Sequence, residues 1–354
     1  MRISSFFFVF LIFFSITATA QDGSSSLENL RSRSYFLQDF QYFKPLLADI
    51  RSPHNHSRFY QADAVRFSNN DEGRDDTGHI FFDPSFGEYF PFLGFNFAEE
   101  DPDKAMNLPG LALFIAGSAH MMLDFYTVSN DVINTDYRVG VGAAMRFPII
   151  HKLSARYRYF HESTHLGDEY TLSASLDPDF RRYNVSYEAS ELYLALDHYI
   201  HDPGHWGYFS YGRIYGGQRW LNNDSFAGHT GMYGDAEPLL LAEKTELELG
   251  VEIVLQGWEA PDKNPDWGWL RRLLAPQFIF AAGDFQKSNK YAVDDPQQEW
   301  SNNIVLGIIY GKYFALKGER TVRWQLNFYD GINPHGQFRM EDLSYLGLDY
   351  IIDF

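Results

Sequence analysis

The chain has 354 residues, among them 32 Phe, 23 Tyr and 7 Trp but no Cys, and its 29 basic against 47 acidic residues give a formal charge of −18. The absence of cysteine excludes a disulfide-stapled scaffold, and the acidic balance argues against a nucleic-acid binder, which needs a basic face to meet phosphates. A 45% hydrophobic share excludes a disordered chain, while an excess of aromatics is expected where an apolar surface meets water.

At the N-terminus, Arg2, an uncharged run from Phe6 to Phe14 and the small residues Ala18-Thr19-Ala20 read as a cleaved secretory signal over residues 1–20. Its apolar run is shorter than the ~20 residues of a spanning helix, and no later stretch is long enough for one. Residues 21–75 lack clear alternation and read as a periplasmic N-terminal segment ahead of a barrel over residues 76–354.

Period-two alternation then recurs. Tyr137, Val139, Val141, Ala143, Met145 and Phe147 alternate with Arg138, Gly140, Gly142 and Arg146. Leu247, Leu249, Val251, Ile253 and Leu255 oppose Glu246, Glu248, Glu252 and Gln256, and Val322, Trp324, Leu326 and Phe328 oppose Thr321, Arg323, Gln325 and Asn327. Ten such segments are read, at about 111–126, 136–147, 153–165, 183–199, 206–215, 245–256, 276–285, 301–315, 321–330 and 343–354. Two more are expected within the aromatic stretch 81–97. Most reach the ~9–11 residues that cross an outer membrane at a tilt. Arg138, Arg146, Arg156 and Arg158 are expected to pair with Glu246, Glu248 and Glu252 in the lumen.

The last segment carries Leu346, Leu348, Tyr350, Ile352 and Phe354 on one parity. It resembles the terminal strand by which bacterial outer-membrane barrels are recognised for assembly, which implies a barrel-assembly machinery as a biogenesis partner. If that strand ends in the periplasm, the connections at 148–152, 200–205 and 316–320 are short periplasmic turns, and those at 166–182, 216–244, 286–300 and 331–342 are longer external loops, the asymmetry of such barrels. The long 257–275 connection breaks the rule. With Trp258, Trp267 and Trp269 beside Arg271 and Arg272, it reads as an interfacial segment.

The densest group of reactive side chains is Phe160-His161-Glu162-Ser163-Thr164-His165-Leu166-Gly167-Asp168-Glu169-Tyr170. His161-Glu162-Ser163-Thr164-His165 matches the zinc-hydrolase pattern H-E-x-x-H, but that chemistry needs a helix. In a strand the two histidines stand ~13 Å apart. His161 and Ser163, at i and i+2, share a strand face, so an imidazole can activate the hydroxyl as a nucleophile. Their parity continues that of Ala155, Tyr157 and Tyr159, which faces lipid. Asp168 and Glu169 are candidates for a divalent cation such as calcium. The competing reading is a polar strand end at the headgroup boundary.

A lipid-facing His-x-Ser pair late in an upward strand resembles the outer-membrane phospholipase A and lipid A deacylase families. That resemblance implies acyl-ester hydrolysis of phospholipid or lipopolysaccharide, with His161 as general base, Ser163 as nucleophile and a third side chain orienting the histidine. Ser175 stands where those families carry the third member, so the role shifts to Asn184 or Glu188. With Val185 and Tyr187 taken as outward, either would need a bulge to reach His161. The whole chain also resembles the bacterial domain of unknown function 1207 family, through Phe43-Lys44-Pro45-Leu46-Leu47-Ala48-Asp49 and His161-x-Ser163-x-His165-Leu166-Gly167-Asp168-Glu169. The expectation is an all-β, antiparallel transmembrane β-barrel of ten to twelve strands in the outer membrane of a Gram-negative bacterium, in contact with its lipids. Its function is acyl hydrolysis or, alternatively, that of a non-enzymatic barrel or narrow pore.

Overall fold

The computed structural model describes residues 34–37, 41–63, 78–97, 108–125, 130–147, 150, 152–175, 180–200, 207–230, 234–257, 276–311 and 320–353. The secretory signal expected over residues 1–20, most of the Trp-rich connection and Phe354 lie outside them.

Alternating apolar and polar side chains build strands because successive Cβ atoms point to opposite faces of a sheet. The strands are β1 (Ser34–Phe36), β2 (Asn55–Ala62), β3 (His79–Asn96), β4 (Gly110–Asp124), β5 (Val132–Arg146), β6 (Leu153–Leu166), β7 (Arg181–Tyr183), β8 (Ser186–Tyr199), β9 (Phe209–Leu221), β10 (Ser225–Thr230), β11 (Gly234–Leu240), β12 (Thr245–Gln256), β13 (Phe278–Lys290), β14 (Gln297–Tyr310), β15 (Thr321–Ile332) and β16 (Asp342–Asp353). A short helix, α1 (Asp168–Ala174), follows β6. Twelve strands, β2 to β6, β8, β9 and β12 to β16, pair antiparallel with their neighbours, and β16 closes on β2. No described helix is long and apolar enough to cross a membrane.

All ten expected segments are barrel strands. The two remaining strands differ from expectation in place. The stretch 81–97 falls, but for its last residue, within one 18-residue strand, β3, and the second is β2, drawn from residues read as a lead-in. Eight residues in which His56, Arg58, Tyr60 and Ala62 alone face inward are too short and too polar to stand out by alternation.

The wall is turned apolar side out. Val139, Val141, Leu249, Ile253, Leu326 and Leu348 are exposed, whereas Glu246, Glu252, Arg323, Asn327 and Asp349 are buried inside. A closed cylinder leaves no strand edge unpaired, and its outer residues can face hydrocarbon only because the charges are within. The lumen ion pairs follow the register. Arg138 binds Glu162, Arg146 binds Asp197 at 3.0 Å, and Arg158 binds Glu191 at 2.8 Å. Glu246 instead meets Arg219 at 3.1 Å and Arg339 at 2.7 Å, and Glu248 accepts the Tyr193 hydroxyl. The expected pairing of the β5 and β6 arginines with β12 is therefore corrected. β8 and β9 stand between β6 and β12, and a side chain reaches strands one or two places away before those across the barrel.

Residues 41–54 run inside the barrel. β1 and β2 occupy one slot, both pairing with the same edge of β3, at Leu93–Phe95 and at His79–Ser85 respectively. Between them the chain leaves the wall. This inner segment has no alternation and carries Pro45 and Pro53, so its polar backbone groups must find side-chain partners. Leu47 N–H donates to Glu252 at 2.7 Å, Arg213 donates to the Lys44 carbonyl at 3.1 Å, and Arg146 donates to the Tyr42 carbonyl at 3.3 Å. Tyr42 fits against Gly110, where an added Cβ would lie 2.1 Å from the ring.

The connections at the end of the barrel away from the C-terminus gather over the lumen. β7, β10 and β11 form a small separate sheet there. The β15–β16 connection turns inward as a cap, with Phe338 buried against Tyr170 of α1 at a ring separation of 5.8 Å. His335 of this cap lies 3.2 Å from Asp83 and 3.4 Å from Asp136.

Two outcomes follow from these contacts. Asp197 accepts from Arg213 at 2.7 Å, Tyr211 at 2.7 Å and Ser154 at 3.0 Å, besides Arg146. Asp197→Ala leaves two buried guanidinium groups short of a counter-charge and is expected to cost about 3 to 5 kcal/mol, read as a lower midpoint of urea unfolding in lipid vesicles. Burial alone would depress the His335 pKa, but Asp83 and Asp136 outweigh it and raise it from 6.5 to about 9. The cationic ring thus holds the cap fully below pH 6.5, and the hold is lost as pH rises through 9. Proteolysis of the 333–341 segment is expected to accelerate between pH 7 and pH 10, and His335→Asn should flatten that pH dependence.

Candidate lipid-facing site

β6 places its inward and outward residues as its parity dictates. Arg156, Arg158, Phe160, Glu162 and Thr164 are buried in the lumen, while Tyr159 and His165 are exposed on the outer wall. His161 and Ser163 lie on that outer face. Their cross-strand neighbours are Val139 and Tyr137 on β5, and Glu188 and Ser186 on β8. The strand rises from the short 147–152 turn, so the pair sits in its last third, near the capped end of the barrel.

The side chain beside the His161 imidazole is Glu188. His161 Nδ1 lies 3.2 Å from Glu188 Oε1, and both side chains are a little under half exposed. The expectation that a bulge is needed is corrected, because Val185 and Tyr187 point inward, at 0% and 2% exposure, and leave Glu188 outward. Tyr187 is inward because it packs with Phe160 and Phe226, at ring separations of 6.4 Å and 6.0 Å, in an aromatic cluster under the small β7–β10–β11 sheet. An outward reading of a tyrosine is natural for a membrane wall; that sheet is what gives it an inner partner. Asn184 lies just before β8, exposed, with its N–H donating to the Ala227 carbonyl at 2.9 Å. It stands four residues from Glu188, and the imidazole Nδ1 is engaged by Glu188.

The strand geometry dismantles the zinc reading. Glu162 of the H-E-x-x-H run faces the lumen, bound to Arg138 and, at 3.4 Å, to Arg51. His161 and His165 are on the opposite side of the wall, ~13 Å apart along the strand. Asp168 and Glu169 occupy the first turn of α1, both exposed. No group of three or more His, Cys, Asp or Glu side chains among the described residues is arranged to hold a metal ion.

Two further residues border the pair, a third lies lower on the same face, and none of them was legible as a site residue. Tyr137 is half exposed opposite Ser163, with its ring 5.8 Å from that of His165. Ser186 flanks Ser163 on the other side. Tyr157 donates to Ser190 at 3.2 Å one pleat below Glu188. Only the strand register brings them together. The arrangement supplies an imidazole whose Nδ1 is held by a carboxylate, with a hydroxyl one pleat further along the same apolar face. Such a carboxylate–imidazole–hydroxyl sequence is the chemistry of acyl transfer.

A family model described as protein of unknown function (DUF1207) matches residues 25–221, more than half of the chain. The chain belongs to this family. No curated protein matches it. Among solved structures, the DUF1207 chain is similar to the transport unit of the autotransporter AIDA-I from Escherichia coli, at 15% identity and TM-score 0.39, covering 88% of this chain and 93% of that one. It is also similar to the outer membrane phospholipase dimer of Salmonella typhi, crystallised with calcium, at 10% identity and TM-score 0.41, covering 85% and 91%. An outer membrane channel of Pseudomonas putida F1 matches at 8% identity and TM-score 0.39, covering 87% and 97%. These likenesses concern the barrel fold alone.

The chain has no cysteine, so a nitroxide at Ser163→Cys is a unique label. In liposomes its collision rate with oxygen is expected to exceed that with a water-soluble nickel chelate, and a label at Thr164→Cys should show the reverse of any lipid exposure. Equal chelate access at both positions would place the His161 row in water.

Proposed function

We propose that this DUF1207 chain resides in the outer membrane of a Gram-negative bacterium and hydrolyses acyl esters of lipids that touch the outside of its wall. The observation that carries this reading is the 3.2 Å contact between His161 Nδ1 and Glu188, with Ser163 on the same lipid-facing row. In this reading Glu188 holds the tautomer in which Nδ1 carries the proton and Nε2 is the base. Nε2 takes the Ser163 hydroxyl proton while Oγ adds to the acyl carbonyl carbon, and the carbonyl electron pair moves to its oxygen. Collapse breaks the ester C–O bond, and the imidazolium returns its proton to the leaving alkoxide. Water then repeats the sequence on the acyl-serine, releasing a carboxylic acid and restoring the hydroxyl. Phospholipid and lipopolysaccharide are the substrate classes this position meets.

The second reading is a non-enzymatic barrel. It is favoured by a lumen filled by residues 41–54 and by ion pairs, which leaves a pore little free section. It predicts neither turnover nor appreciable conductance.

The deciding experiment is release of fatty acid from phospholipid or lipopolysaccharide by refolded protein. Activity is expected for the natural sequence, with Ser163→Ala and His161→Ala each abolishing it and Glu188→Gln reducing kcat by about 10²- to 10⁴-fold, the ordinary worth of a positioned acid–base pair. Full activity in either alanine variant would sink the hydrolase, and an inactive natural protein would leave the plugged barrel. Addition of calcium or a chelator to the same assay measures the divalent-cation requirement raised by Asp168 and Glu169.

A further inference from the structure

Beneath the cap at the external end lies a chamber of about 30 Å³, room for two or three water molecules. Its walls include four arginines, Arg51, Arg138, Arg219 and Arg339, against one carboxylate, Glu162, and the cap closes it with Asn333. Arg51, Arg138, Arg339 and Asn333 are at least nine-tenths buried. Two donors are left over. Asn333 Nδ2 and Arg219 Nε are buried and have no hydrogen-bond partner among the described residues.

The ion pairs around the chamber are shared among several arginines. Arg51 and Arg138 share Glu162, and Arg51 also meets Asp136. Arg219 and Arg339 share Glu246. Arg156, Arg158 and Arg219 share Glu191. Six guanidinium groups thus face four carboxylates, one of which, Asp136, also serves His335. Glu248 and Asp284, which accept the hydroxyls of Tyr193 and Tyr215, and Asp49 do not line the chamber. The chamber lining itself presents four guanidinium groups to one carboxylate, a donor-rich surface suited to an oxyanion.

We propose that the chamber binds a phosphate-sized oxyanion, with Arg219, Arg339 and Asn333 as its donors and the cap as its lid. A tetrahedral dianion meets the guanidinium-rich lining, displaces the few waters the chamber can hold, and accepts from planar guanidinium forks as well as from the cap amide. The barrel wall separates the chamber from lipid, so the ligand is free phosphate or a small phosphorylated solute entering from the external end. The site is independent of the His161 row, which lies on the other side of the wall.

The test uses refolded full-length protein in a non-ionic detergent. Radiolabelled inorganic phosphate in equilibrium dialysis is expected to occupy a single saturable site, and the thermal midpoint should climb with phosphate concentration at constant ionic strength. Asn333→Leu, which touches no ion pair, is expected to weaken phosphate binding about tenfold, the equivalent of ~1.4 kcal/mol, and Arg339→Gln to weaken it further. Ser163→Ala should bind as the natural protein does. Phosphate that does no more than chloride overturns the proposal and leaves water as the occupant. Unchanged binding in Asn333→Leu moves the site elsewhere and overturns it equally. So does a midpoint raised only by phosphatidylglycerol added to the micelles, which would assign the phosphate to a headgroup on the outer wall.

Discussion

The constraint on which this structure rests is that hydrocarbon offers no partner to a backbone N–H or C=O. A strand wall can enter it only if every edge is paired, so the sheet closes, β16 on β2. Closure fixes a second property. With apolar side chains at alternate positions committed to lipid, every polar residue of the same strands is driven into an interior without bulk water. The buried Arg146, Arg156, Arg158, Arg213 and Arg323 are the consequence. Each large cation must be met inside, by carboxylates on adjacent strands and by aromatic rings such as Phe160, which lies 4.7 Å from Arg138 and 4.9 Å from Arg158.

The inner segment belongs to the same logic. Twelve strands enclose a cavity wider than their own side chains fill, and residues 41–54 supply the remainder. They also offer carbonyls to buried arginines, as Lys44 does for Arg213 beside its carboxylates Asp197 and Glu252. Splitting the first strand slot between β1 and β2 is what lets the segment turn inward without opening the rest of the wall. The cap completes the enclosure, with Arg339 and His335 pairing into the barrel rather than with solvent.

On the outer wall the chemistry is set by the same parity. The strand that sends Glu162 inward to Arg138 sends His161 and Ser163 outward, so a pattern resembling a zinc motif is split across the two sides of the barrel. Glu188 meets His161 because β8 follows β6 around the barrel and Tyr187 has an aromatic partner inside. A carboxylate, an imidazole and a hydroxyl thereby come to lie along one apolar surface.

Much of this was legible in the residues themselves. Period-two alternation located ten of the twelve barrel strands, their inside and outside faces except at the start of β8, and the outward placement of His161 and Ser163, since side-chain direction in a strand depends on parity alone. Parity carries no information about which strands stand side by side or at what register. The partners of Arg138, Arg146 and Arg158, the choice of Glu188 for the imidazole, the single long strand β3, and the recruitment of Asn55–Ala62 into the wall were decided by closure and by packing against the inner segment and the small β7–β10–β11 sheet. Those are contacts between residues as far apart as Arg58 and Asp349, and local sequence cannot specify a distance across a cylinder that exists only once it has closed.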